Sequence, residues 1–130
     1  MDIIALIGET TEYDKKQAVE AKKPKSWCKS ISAFANGRGG KLIFGIADDN
    51  TIIGLENAEK DAETISEQIK VHLNPIPEFT LRFQKVEGKT LIIVEVYAGE
   101  QTPYYYSGDG MLTAFIRIGN KSVQATPQQL

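Results

Sequence analysis

Residues 30–49 read SISAFANGRGGKLIFGIADD. An apolar helical run meets Gly-Arg-Gly-Gly, then a hydrophobic strand, then two aspartates. From Pro24 to Asn36 the residues Trp27, Ile31, Phe34 and Ala35 recur on one helical face. Lys25, Lys29 and Ser32 fall on the opposite face, open to a binding partner or to water. Pro24 suits the first turn of a helix, and Asn36-Gly37 suits its end. Lys41 to Ala47 is apolar at nearly every position, the pattern of a strand buried on both faces. Three readings compete for the glycines: a phosphate cradle, a plain helix-to-strand connection, or part of a nucleic-acid site. A nucleotide cradle of the G-x-x-x-x-G-K-[ST] kind follows a strand and opens a helix. Here Leu42 follows Gly40-Lys41 and the polarity is reversed, so the glycines sit at the negative end of a helix dipole. Gly37, Gly39 and Gly40 are better explained as a tight connection, with Arg38 and Lys41 left to meet phosphates as side chains.

Outward from this stretch, a short strand is expected at Thr10–Tyr13 and a loop over 17–23. Asp48-Asp49-Asn50 is turn chemistry, and Thr51–Leu55 is expected to return as the second arm of a hairpin. Asn57 is a candidate N-cap. Ala58, Ala62, Ile65, Ile69 and Leu73 trace the stripe of a second helix, stopped at Asn74-Pro75. Phe79, Leu81 and Phe83 alternate with polar residues, and Glu87-Gly88-Lys89 turns the chain into Thr90–Tyr97. Gly108-Asp109-Gly110 is a further turn before a last strand, Leu112–Ile118. The order is roughly β-α-β-β-α-β-β-β. That favours an α+β domain, with a mixed sheet of about six strands and two main helices, over a doubly wound sheet. The ending TPQQL reads as the opening of a further helix, so residues 1–130 are expected to be one domain at the N-terminal part of a longer protein.

The chain has 130 residues, 42% of them hydrophobic and 25% charged, which fits one globular domain. No apolar run is long enough to span a bilayer, and the start MDIIALIGETT has no basic leader. Cys28 is the single cysteine and has no partner for an internal disulfide, which suits the cytoplasm. The net charge of −2 hides a strong asymmetry. Residues 15–41 hold eight basic residues against the single acid Glu20, a net of seven positive charges. The remaining positions hold seven basic and sixteen acidic residues, a net of nine negative charges. A chain so divided can bind a polyanion with one face, because the local field rather than the sum attracts it. The competing reading is a solvated lysine-rich loop and helix face.

Glu9, Glu12 and Asp14 precede the basic segment, and Asp48-Asp49 follow it. A strand over 10–14 lying beside 41–47 would let acids from both approach and hold Mg²⁺ or Mn²⁺; turn chemistry alone also accounts for Asp48 and Asp49. Tyr104-Tyr105-Tyr106 are candidates either for base stacking or for core packing. Arg117 and Lys121 flank the end of the last strand. His72 lies near the end of a helix and Cys28 beside Trp27. No Ser/His/Asp set, Cys/His set or zinc spacing is present.

The run SWCKSISAFANGRGGKLIFGIADDNTIIG resembles the signature of the Schlafen AlbA-like domain family, in the order AFAN, GG, a strand ending in GI, an acidic turn, then I-G. Pro75-Ile76-Pro77, Pro103-Tyr104-Tyr105 and Ile116-Arg117-Ile118-Gly119 match as well, so the resemblance spans about residues 8–127. It implies an Alba-like α+β fold and a DNA-binding module of a cytoplasmic transcriptional regulator, without a cofactor. Lys25, Lys29, Arg38, Lys41, Arg117 and Lys121 would then contact phosphates, with Tyr104 and Tyr105 as stacking groups. DNA is the expected partner, RNA and a homodimer remain open, and no membrane is implied. The resemblance also implies an alternative, a metal-dependent endoribonuclease in which Glu9, Asp14 and Asp48 hold Mg²⁺ or Mn²⁺. In the register that keeps the family's usual gap, Asp14 stands where the motif has Glu and Lys15 where it has an aromatic; a register with a shorter gap puts Glu12-Tyr13-Asp14 there instead. A nucleotide- or ATP-binding regulatory role is a third reading.

Overall fold

The computed structural model describes residues 12–129. The elements in chain order are β1 (Tyr13–Lys16), α1 (Lys25–Asn36), β2 (Gly40–Phe44), α2 (Ala58–His72), β3 (Leu73–Asn74), β4 (Phe79–Val86), β5 (Lys89–Val96), β6 (Tyr105–Gly108), β7 (Met111–Ile118) and β8 (Lys121–Gln124), followed by a 3₁₀ turn at Pro127–Gln129. The class is α+β, as expected, but the strands form two four-stranded sheets rather than one. The first has the order β1-β2-β5-β4 and the second β3-β6-β7-β8. β1 runs parallel to β2, with Asp14 opposite Leu42, so β1-α1-β2 is a crossover unit. The other pairings are antiparallel.

α1 is enclosed on nearly all sides. Trp27, Cys28 and every residue from Ser30 to Ala35 are buried. Its apolar side packs on β2 and β5, where the Trp27 ring stands edge-on to Phe44 at 5.6 Å. Ile65, Ile69, Tyr104, Tyr106 and Phe115 close the same core. Of the three residues on the opposite face, Ser32 lies inside, fully buried. On the other side of the first sheet, Ile43, Leu91, Ile93, Val86 and Ile46 form a second, smaller core. β2 and β5 are thus buried on both faces, which accounts for their unbroken apolar runs.

α2 begins where expected, with the Asn57 side chain accepting from the Lys60 N–H at 3.3 Å and Glu59 and Asp61 in the first turn. The expected strand over 51–55 does not form. Ile46 and Ile52 make a single bridge, after which the Ile53 and Gly54 N–H groups both donate to the Gly45 carbonyl and Leu55 N–H donates to Thr90. Two donors on one acceptor close a turn and leave no ladder to extend. β1 starts at Tyr13, where the expected strand ends.

Candidate nucleic-acid interface

The glycine turn is built as a connection. The Gly37 and Gly39 N–H groups both donate to the Phe34 carbonyl, at 3.1 and 2.9 Å, and Gly99 N–H donates to Ala35 at 2.9 Å. These bonds satisfy carbonyls that a helix end would leave orphaned. They also use donors that a phosphate cradle would need. Gly39 has φ +80°, and a Cβ there would stand 2.6 Å from the Val96 carbonyl oxygen. A Cβ at Gly40 would stand 2.5 Å from the Phe34 ring. Glycine at 39 serves both backbone and space, and at 40 it serves space alone.

Below the turn, two polar side chains of α1 enter a fork in the second sheet. Tyr105 pairs with Ala114, so Tyr104 and Phe115 would form the next rung. Ser32 and Asn36, one helical turn apart, fill that rung instead. Ser32 Oγ donates to the Tyr104 carbonyl at 2.7 Å and accepts from Phe115 N–H at 3.1 Å. Asn36 Oδ1 accepts from Tyr104 N–H at 2.6 Å, and its Nδ2 donates to the Tyr104 and Phe115 carbonyls, each at 3.0 Å. The asparagine of the AFAN stretch is thus a backbone pin. The sequence signal for it is a polar pair at i, i+4 in the otherwise apolar run from Ile31 to Asn36.

The basic candidates differ in their surroundings. Lys25, Arg38 and Lys121 are exposed, as are Lys22 and Lys23 in the loop before α1, while Lys29 and Lys41 are half-buried. Lys41 lies in β2 between Tyr13 of β1 and Glu95 of β5. Arg117 is different, with a side chain only 8% exposed. Its Nη1 donates to Ser122 Oγ at 3.0 Å and stands 4.0 Å from Asp14, its Nη2 donates to the Tyr13 carbonyl at 3.0 Å, and its plane lies over the Phe34 ring at 5.2 Å. Tyr104 is buried, with its hydroxyl accepting from Gln101 N–H, whereas Tyr105 is half-buried. Tyr106 stacks on His72 at 5.3 Å, and His72 Nδ1 lies 2.8 Å from the Ser107 carbonyl. Burial pushes the Tyr106 phenol up from its ordinary value.

Of the three acids, Glu9 lies outside the described residues. Asp14 Oδ2 accepts from Ser30 Oγ at 2.8 Å and faces Arg117, and Asp14 Oδ1 accepts from the Lys15 N–H at 2.9 Å. Asp14 therefore ties β1 to α1 and β7. Lys15 reaches across to the acidic turn: its Nζ donates to the Asp48 carbonyl at 3.0 Å and to Asn50 Oδ1 at 2.5 Å. Asp49 Oδ1 accepts from the Thr51 N–H at 3.0 Å, and hydrogen bonding to Thr51 holds its carboxyl below the ordinary value. Among the described residues no group of three or more His, Cys, Asp or Glu is placed to hold a metal ion. No helix among them is long and apolar enough to cross a membrane.

Comparison with known proteins places this α+β domain in a family. The family model described as Schlafen, AlbA_2 matches residues 9–126, and the chain belongs to that family. A similar solved structure is the N-terminal domain of a RecG helicase-related protein from Nitrosomonas europaea. It is 26% identical with a TM-score of 0.63, and the match covers 96% of this chain and 90% of that one. The DIP2311 protein of Corynebacterium diphtheriae shares the fold at 21% identity and a TM-score of 0.65, over 91% of this chain and 22% of that one. No curated protein matches the sequence.

Proposed function

We propose that the domain binds nucleic acid, DNA first, as a module of a cytoplasmic transcriptional regulator. Lys25, Lys29, Arg38, Lys41 and Lys121 contact phosphates and Tyr105 offers a stacking face. The observation that carries this reading is the charge of residues 15–41, of which Lys22 and Lys23 lie in an open loop and Lys25 at the exposed start of α1. Membership of the family and the helicase-related name of the Nitrosomonas neighbour support it. Arg117 and Tyr104 are left out of the contact surface because both serve the fold. Phosphate contacts position a protein without reading sequence, so binding is weakly sequence-specific and falls steeply with salt.

Fluorescence anisotropy with a labelled duplex over a salt series tests this. Affinity should fall linearly on a log–log scale, and Lys25→Glu or Arg38→Glu should lower affinity and flatten the slope by about one or more. Affinity indifferent to salt, or unchanged in both variants, would sink it. Running single-stranded DNA and RNA beside the duplex sets the preference among them.

A further inference from the structure

Behind the glycine turn is a cleft of about 300 Å³ lined by Gly37, Arg38 and Gly39 of the turn, Ile116 and Arg117 of β7, and Glu12 ahead of β1. We propose that this cleft is an oxyanion site that takes a phosphate group. Its lining includes two arginines and one acid. Arg117 is more than nine-tenths buried, and its Nε–H has no hydrogen-bond partner among the described residues. The rest of that guanidinium is held by Ser122 Oγ, the Tyr13 carbonyl and the Phe34 ring. A fixed arginine with a donor left over, in a cleft wall, is suited to a group with several acceptor oxygens. Arg38 is exposed on the same cleft and can close over that group. The two glycines keep one wall free of side chains. The volume is at the lower end for ligand pockets and suits a phosphate with little attached. The helix end and Glu12 oppose an anion, so the arginines decide its affinity, and Glu12 is the group that weakens it.

The test is a ¹H–¹⁵N spectrum of the whole chain, with inorganic phosphate titrated at ionic strength held constant by sodium chloride. Saturable shifts should appear at the Arg117 Nε–H and at the Gly37 and Gly39 amides. Arg38→Gln should raise the half-saturating concentration several-fold, and Glu12→Gln should lower it. Both residues are exposed, and the dispersion of each spectrum reports that the variant is folded. Non-saturating shifts spread over the lysines, which mean an adventitious ion only, would overturn the site, as would variants that change nothing. A duplex that saturates the same resonances assigns the phosphate to a nucleic-acid backbone. A sugar phosphate that does so while the duplex does not assigns it to a small molecule. The site stands apart from the nucleic-acid reading: DNA binding lost in Lys25→Glu with a silent cleft overturns the cleft alone, and a phosphate-filled cleft without DNA binding overturns the other.

Discussion

Asn36 and Ser32 between them pair both backbone groups of Tyr104 and both of Phe115. Truncating either leaves buried donors or acceptors without a partner, which is costlier than the lost bond itself. Asn36→Ala should destabilise the domain by about 3 kcal/mol and Ser32→Ala by about 2 kcal/mol. Because the Tyr104 carbonyl keeps one donor in each single variant and loses both in the double, the double variant should lose more than the two losses added, as urea denaturation would measure. Asp49 supplies a pH signature at the same scale. Its carboxyl is held low by Thr51, so the bond is intact above the ordinary carboxylate value near ~3.9 and is lost as pH falls through the lower folded value. The Thr51 amide resonance should therefore titrate with a midpoint below that ordinary value.

α1 has neither an acid in its first turn nor a side-chain cap, and Lys25 and Lys29 stand one turn apart as like charges. Lys25→Glu would place an acid at the positive end of the dipole and an opposite charge before Lys29. It should stabilise the domain by about 0.5–1 kcal/mol while weakening DNA binding. A higher melting temperature with lower affinity separates this lysine's binding role from any folding role, and a drop in both would contradict the assignment. Both helices and the β4–β5 hairpin were legible from period and turn chemistry, because each is long enough to show its pattern. β3, with two residues, and β8, with four, are too short to show one. The role of Ser32 was not legible because helical period gives a polar face without saying what meets it, and here Ser32 meets the strand backbones of a second sheet.

The division into two sheets depends on pairings far apart in sequence, such as β2 with β5, which no local pattern reveals. The site was less legible still. Exposed lysines were readable as charge, but no local pattern signals that Arg117 and Asp14 face each other across the fold. With α1 held between the sheets, Cys28 reaches solvent only when the molecule opens. Burial also raises its thiol above the ordinary value, so little thiolate exists at neutral pH. Alkylation of the native protein should be slow, and should quicken in Asn36→Ala by about tenfold for each ~1.4 kcal/mol of stability lost. Rapid labelling at neutral pH would contradict the enclosure of α1.

The segment between β5 and β6 is fastened to α1 at both ends, by Gly99 N–H on Ala35 and by Tyr104 on Asn36, while Glu100 between them is exposed. A strip of chain anchored on each side and open in the middle is a natural place for a graft. A short flexible peptide inserted after Glu100 should leave the melting temperature within a few degrees, which gives this domain a handle for a fluorophore or an affinity tag away from its lysines.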